Sequence, residues 1–122
     1  MQPHKLEKAR DARIDMTILV DSYDEEERAM AWYTYLASAL AFPFAARCRA
    51  KRAVSPLQIG DEVEVIGVAP EEECEHEMFV LMRWERHTLA VPLSQLAVTD
   101  VDDKTRQAVE DWQYWDDDGD SF

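Results

Sequence analysis

Glycine is scarce in this chain: three residues in 122, with five prolines and two cysteines. Three isolated glycines cannot build a phosphate-cradling loop of the nucleotide-binding kind. Few glycines and prolines also leave little material for long linkers, so one domain is expected at this length. Two cysteines, Cys48 and Cys74, are too few for a disulfide scaffold, and in a chain able to bury a sizeable core they read as free thiols. Cys74-Glu75-His76 offers two borderline ligands, but a structural zinc site needs four, and His4 and His87 do not supply the second pair. No apolar run approaches the length of a membrane span, and the N-terminal residues lack the apolar centre of a secretory signal. Basic charge is short as well, at 13 Lys and Arg against 26 Asp and Glu, a net charge of −13. So acidic a body is a poor partner for nucleic acid or an anionic membrane, and a soluble cytoplasmic monomer is expected.

What the chain does have is a core. Hydrophobic residues make up 47%, with four Trp, four Tyr and four Phe, and this excludes a disordered acidic tail, which would carry few aromatics. Residues 1–12 are read as a flexible, mildly basic arm (Lys5, Lys8, Arg10) and residues 13–122 as a single α+β domain. Ile14, Met16, Ile18 and Val20 alternate and predict a strand. Asp24 followed by Glu27 fits a helix cap, and Ala29, Trp32, Tyr33, Leu36, Ala37 and Leu40 recur at helical spacing until Pro43. Strands are predicted from Phe44, from Gly60-Asp61, over Met78–Trp84 and over Thr88–Val91, with a single helical turn at Pro92–Leu96 and a short strand at Ala97-Val98. Arg47, Arg49 and Lys51 share one outer face and are expected to pair with acids of a neighbouring strand. A second helix is predicted from Asp103 to Trp112. The expected architecture is a small antiparallel sheet or SH3-like barrel flanked by two helices.

The excess acid is gathered in clusters: Asp21–Glu27, Glu71–Glu77, Asp100–Asp103 and Asp116–Asp120. Two carboxylates about 4 Å apart repel by roughly 1 kcal/mol in water, so crowded acids either splay into solvent or take a cation. Ca²⁺ accepts six to eight oxygens from carboxylates, carbonyls and water at roughly 2.3–2.6 Å, which acid-rich loops can offer. Asp116, Asp118 and Asp120 around Gly119 partly mimic an EF-hand loop, but the chain ends before the position of its bidentate Glu. In an extended Glu71–Glu77 loop, Glu71, Glu73, Glu75 and Glu77 would converge, with Glu72 on the other side. Asp21–Glu27 lies at a helix N-terminus, which stabilises acids without any metal. A solvated acidic face is the alternative for each cluster. Catalysis finds little support: the serines stand in no nucleophile motif, and runs of solvated carboxylates are not the apolar pockets that general acids need.

Several segments in order, Asp21–Leu36, Phe42-Pro43-Phe44, Ser55-Pro56-Leu57, Glu62–Val65, Glu77–Val80, Leu89–Leu96 and Asp111–Trp115, resemble the CcbP-like calcium-binding proteins, a family of small acidic bacterial proteins best known from cyanobacteria. The resemblance runs from about residue 13 to the C-terminus. It implies Ca²⁺ binding through surface acids without EF-hands, as a calcium buffer or sensor, and it favours Asp21–Glu27 and Asp111. The expected metal ligands are accordingly Asp21, Asp24, Glu25, Glu26, Glu71, Glu72, Glu73, Glu75 and Asp111. The alternative function is a metal-independent acidic adaptor that docks a basic protein partner.

Overall fold

The described residues open in a helix and not in a strand. A computed structural model describes residues 5–20 and 22–117. Helix α1 (Lys5–Arg13) covers part of the stretch expected to be a flexible arm and runs into one π-helical turn, Ile14–Ile18, where the strand was expected. The Leu19 N–H donates to the Ile14 carbonyl at 2.8 Å, the i to i+5 bond of a π-turn. Burial explains the difference. Ile14 and Ile18, four apart and so on one helical face, are buried, whereas Met16 and Val20 are 77% and 54% exposed. The apolar alternation contained a helical pair, and the core took that pair.

Helix α2 (Glu25–Ala39) begins where the cap is predicted. The Asp24 side chain accepts from the Glu27 N–H at 2.7 Å, and the residue itself is extended. Ala29, Trp32, Leu36 and Ala39 are buried. Helix α3 (Asp103–Asp117) runs past the expected end at Trp112 and buries Thr105, Ala108, Val109, Asp111, Trp112 and Trp115. The two helices meet through their indoles: Trp32 packs edge-on against Trp112 with centroids 5.3 Å apart and lies 5.6 Å from Trp115, in the range where such pairs add to simple burial. The described residues thus hold three helices, with α1 the one that the sequence did not announce.

Five strands, β1 (Phe44–Cys48), β2 (Glu62–Val68), β3 (Phe79–Trp84), β4 (His87–Pro92) and β5 (Leu96–Val98), form an antiparallel sheet in the order β4-β3-β2-β1-β5. Phe44, Ala46 and Cys48 of β1 face inward, while Ala45 and Arg47 face out. Arg47 stands opposite Glu62 and pairs with it at 3.0 Å, as expected, and Arg83 pairs with Glu64 between β3 and β2. Arg49 instead turns its Nε to the Ser94 carbonyl at 2.8 Å. A two-residue turn, Glu85-Arg86, joins β3 to β4, with Glu85 in the left-handed region at φ 54°. The 3₁₀ turn Leu93–Gln95 then carries the chain from β4 to β5 at the opposite edge of the sheet, the curled connection of an SH3-like fold. The fold is α+β. Cys48 and Cys74 are both free and buried, and one core cluster extends from Ile14 to Trp115. Among the described residues no helix is long and apolar enough to cross a membrane.

Candidate metal centre

The first turn of α2 carries Glu25, Glu26 and Glu27, all exposed. Opposite it, β2 ends at Val68, and Pro70 leads into a 3₁₀ helix, Glu71–Cys74. This short helix replaces the extended loop that the sequence suggested, and it changes which acids share a face. With about three residues per turn, Glu72 and Glu75 fall on one side. The structure puts Glu71, Glu72 and Glu75 on the wall of an open cleft and leaves Glu73 off it. Glu77, also expected to converge, turns away and holds Arg52 at 2.6 Å.

The anchor of this wall is Cys74. Its thiol is buried and accepts from the Phe79 N–H at 3.4 Å, which pins the acidic 3₁₀ helix to the start of β3. Burial pushes the Cys74 thiol up, with the nearby Glu73 charge adding to it and the Phe79 bond opposing. Buried and hydrogen-bonded to Phe79, the thiol packs within the core and holds the acidic wall in place. The facing wall is α2, whose Glu25, Glu26, Ala29, Met30 and Tyr33 complete a cleft of about 550 Å³. The Tyr33 phenol is raised by partial burial first and then by Cys74, Glu71 and Glu72.

Five carboxylates, Glu25, Glu26, Glu71, Glu72 and Glu75, therefore surround one concavity although they come from distant parts of the chain. Several acids elsewhere are matched: Glu62 with Arg47, Glu64 with Arg83, Glu77 with Arg52, Glu110 with Arg10. Among the described residues none of the five cleft carboxylates is held in a salt bridge or a side-chain hydrogen bond.

The remaining expected ligands lie elsewhere. Asp24 is engaged as the α2 cap and does not line the cleft. Asp111 is fully buried between helices: Arg13 donates to it at 2.8 Å, Arg10 Nε lies at 3.0 Å and the Tyr35 hydroxyl donates at 2.9 Å. These partners hold Asp111 as the fastening of α1 and α2 to α3, away from the cleft. Nothing in the sequence marked it as buried except its place beside Trp112 on the inner face of α3. Asp21 and Asp118–Asp120 lie outside the described residues.

The family model of the CcbP proteins, described as calcium binding, matches residues 12–116. The chain belongs to the CcbP calcium-binding family. Among solved structures, the crystal structure of Anabaena CcbP is 37% identical over 94% of this chain and 92% of its own length, with a TM-score of 0.79. A calcium-binding protein in its calcium-binding form is 36% identical over 98% of this chain and 100% of its own, with a TM-score of 0.84. No curated protein matches this sequence.

The cleft suits a hard cation by the chemistry of its donors. Its five acids offer oxygen alone; of its two sulfur side chains, the Cys74 thiol is buried and the Met30 thioether is a poor ligand for a hard ion. As they stand, no three Asp, Glu, His or Cys side chains among the described residues converge closely enough to hold an ion. The glutamates are exposed and hold no ion pair among the described residues, and Ca²⁺ tolerates the irregular, partly hydrated shell that such long side chains give.

Proposed function

We propose that this protein binds Ca²⁺ in the cleft between α2 and the Glu71–Cys74 3₁₀ helix, with Glu25, Glu26, Glu71, Glu72 and Glu75 as the ligand groups. The observation that carries this reading is the meeting of two acidic clusters, distant in sequence, in one concavity that the chain's own arginines leave unpaired. A cation there relieves the mutual repulsion of the carboxylates, and it binds more tightly the fewer other counter-charges stand by. The site is open, so water completes the coordination, and affinity falls between about 10⁻⁶ and 10⁻⁴ M, the range of sensors and weaker modules. Mg²⁺ competes poorly because it gives up water reluctantly and requires a tight octahedron.

An exposed, hydrated site of this kind serves a calcium buffer acting in the cytoplasm, without a catalytic role, as a monomer. The single core from Ile14 to Trp115 supports one domain over residues 13–122. The placement of Asp24 and Asp111 argues against either as a ligand, and Glu73 stands outside the set.

Isothermal titration of chelator-stripped protein with Ca²⁺, with Mg²⁺ as control, tests the reading. Saturable binding of Ca²⁺ is expected, with a loss of roughly tenfold or more, about 1.4 kcal/mol or more, in the triple variant Glu26→Gln/Glu72→Gln/Glu75→Gln. A Glu62→Gln/Glu64→Gln variant, which removes charge from the sheet instead, should bind nearly as the parent does. Equal losses in the two variants would reduce the attraction to diffuse charge and remove the cleft from consideration.

A further inference from the structure

A second concavity, a groove of about 710 Å³, runs along α2 beside the π-helical turn. Glu26, Met30, Thr34 and Ser38 line it at intervals of four residues, which sets them in one row down the helix for about 18 Å. Thr17 and Ile18 form the facing wall, and Lys104 at the start of α3 stands among the lining residues. The short side chains of Thr34 and Ser38 leave room for another helix to lie close.

The same region carries much of the apolar surface that the fold leaves in water. Of the seven exposed large hydrophobic residues among those described, four fall between positions 16 and 30: Met16 at 77%, Val20 at 54%, Tyr23 at 77% and Met30 at 43%. Of these Met30 lines the groove itself, together with Ile18, Ala31, Tyr35 and Ala39, so the groove floor is apolar while Glu26, Glu27 and Lys104 bring charge to it. Its charges are arranged by sign. Glu26 and Glu27 lie at the α2 N-terminal end of the groove, while Lys104 is its one basic lining residue. An amphipathic helix of about four turns, apolar on one face and rich in Lys or Arg at one end, complements that length and that charge.

We propose that this groove docks a cationic amphipathic helix of a partner protein, basic end against Glu26 and Glu27, and that Ca²⁺ weakens the docking. The coupling follows from shared residues, since Glu26 and Met30 line both the groove and the carboxylate cleft. A cation held by Glu26 cancels charge that the basic end of the helix needs. By reciprocity the bound helix weakens Ca²⁺ binding by the same factor. The coupling rests on the calcium reading above; the docking does not.

The probe is a synthetic helix of about fourteen residues built from Leu and Lys at helical spacing, lysines concentrated at one end, with a Leu/Glu counterpart as control. Titrated in the presence of chelator, the Lys peptide should bind one to one, and the Glu peptide roughly tenfold or more weaker. Thr34→Trp fills the groove at an exposed position without changing charge and should weaken the Lys peptide by roughly tenfold, about 1.4 kcal/mol, with Ser38→Trp as a second variant and circular dichroism confirming that both fold. Unchanged binding in both variants overturns the groove in favour of diffuse attraction. A dimer in sedimentation that Thr34→Trp dissociates overturns it in favour of a second copy of this chain, and co-sedimentation with neutral phosphatidylcholine vesicles in favour of a membrane. Saturating Ca²⁺ should weaken the Lys peptide by roughly fivefold or more. Binding of Ca²⁺ without effect on the peptide overturns the coupling, whereas failure to bind Ca²⁺ at all overturns the calcium reading and leaves the docking arm to stand on the groove variants.

Discussion

Asp111 shows how far one side chain can be from the role its charge suggests. A carboxylate removed from water is tolerable only when its charge is answered, and Arg10, Arg13 and Tyr35 answer it from two other elements. Hydrogen bonding to Asp111 holds the Arg13 guanidinium above its ordinary range, and burial, followed by the Asp111 charge, does the same for the Tyr35 phenol. Asp111→Ala is expected to cost about 2–4 kcal/mol, somewhat below the full cost of breaking a buried pair because both arginines keep contact with water. Urea unfolding measures that loss, and titration of the same variant should show Ca²⁺ affinity essentially unchanged. The raised groups also set a pH dependence. Cys74, Tyr33 and Tyr35 hold their protons in the fold above their reference values of 9.0 for the thiol and 10.0 for the phenols. The unfolded chain releases those protons first as pH rises, so their contribution is complete below about pH 9 and is lost at higher pH. Melting temperature followed from pH 7 to 11 should fall through this window. Tyr35→Phe should start lower at neutral pH, by about 1 kcal/mol for the lost hydrogen bond, and decline less steeply above pH 10.

Among the elements, α2 ties the cleft to the rest of the fold, and its first turn depends on Asp24. Asp24→Ala removes the acceptor for the Glu27 N–H and should cost about 1 kcal/mol of stability. Because Asp24 does not line the cleft, its loss should reduce Ca²⁺ affinity far less than the loss of Glu26 and Glu72 together; paired urea and titration measurements on the two variants decide this. That cap, the apolar row Ala29–Trp32–Leu36 and the alternating strands were legible because each is a local pattern with a fixed period. Ile14–Val20 misled because spacing by two contains spacing by four, and only packing against the core chose between them. Glu71–Glu77 misled for a related reason: a 3₁₀ turn of four residues is too short to show a period, and its form depends on the burial of Cys74 against Phe79. Both acidic clusters of the cleft were visible in the sequence, but their meeting was not, because it arises from the way α2 lies across the end of β2. Asp111 was picked out through resemblance alone, and its burial on α3 assigns it to structure.

At the scale of the whole molecule, a net charge of −13 makes the metal-free fold work against its own repulsion, and a cation in the cleft should be felt as stability. Free Ca²⁺ at about a hundred times its dissociation constant should raise the unfolding free energy by about 2.7 kcal/mol, seen as a calcium-dependent rise in melting temperature that Mg²⁺ does not reproduce. Raising salt from low to physiological concentration should shrink that rise, since screening over about 8 Å weakens the pull of exposed acids, while it steadies the metal-free protein. The aromatic core adds a consequence of a different kind. Trp32 on α2 packs with Trp112 and Trp115 of α3 in a cluster of three indoles, one residue before Tyr33 in the cleft. Light absorbed by Tyr33 can pass to this indole cluster, and a luminescent lanthanide bound where calcium is proposed would stand beside Tyr33. The colour and brightness of the protein's own emission thus become a gauge of what occupies the cleft and of how α2 lies on α3, with no dye attached.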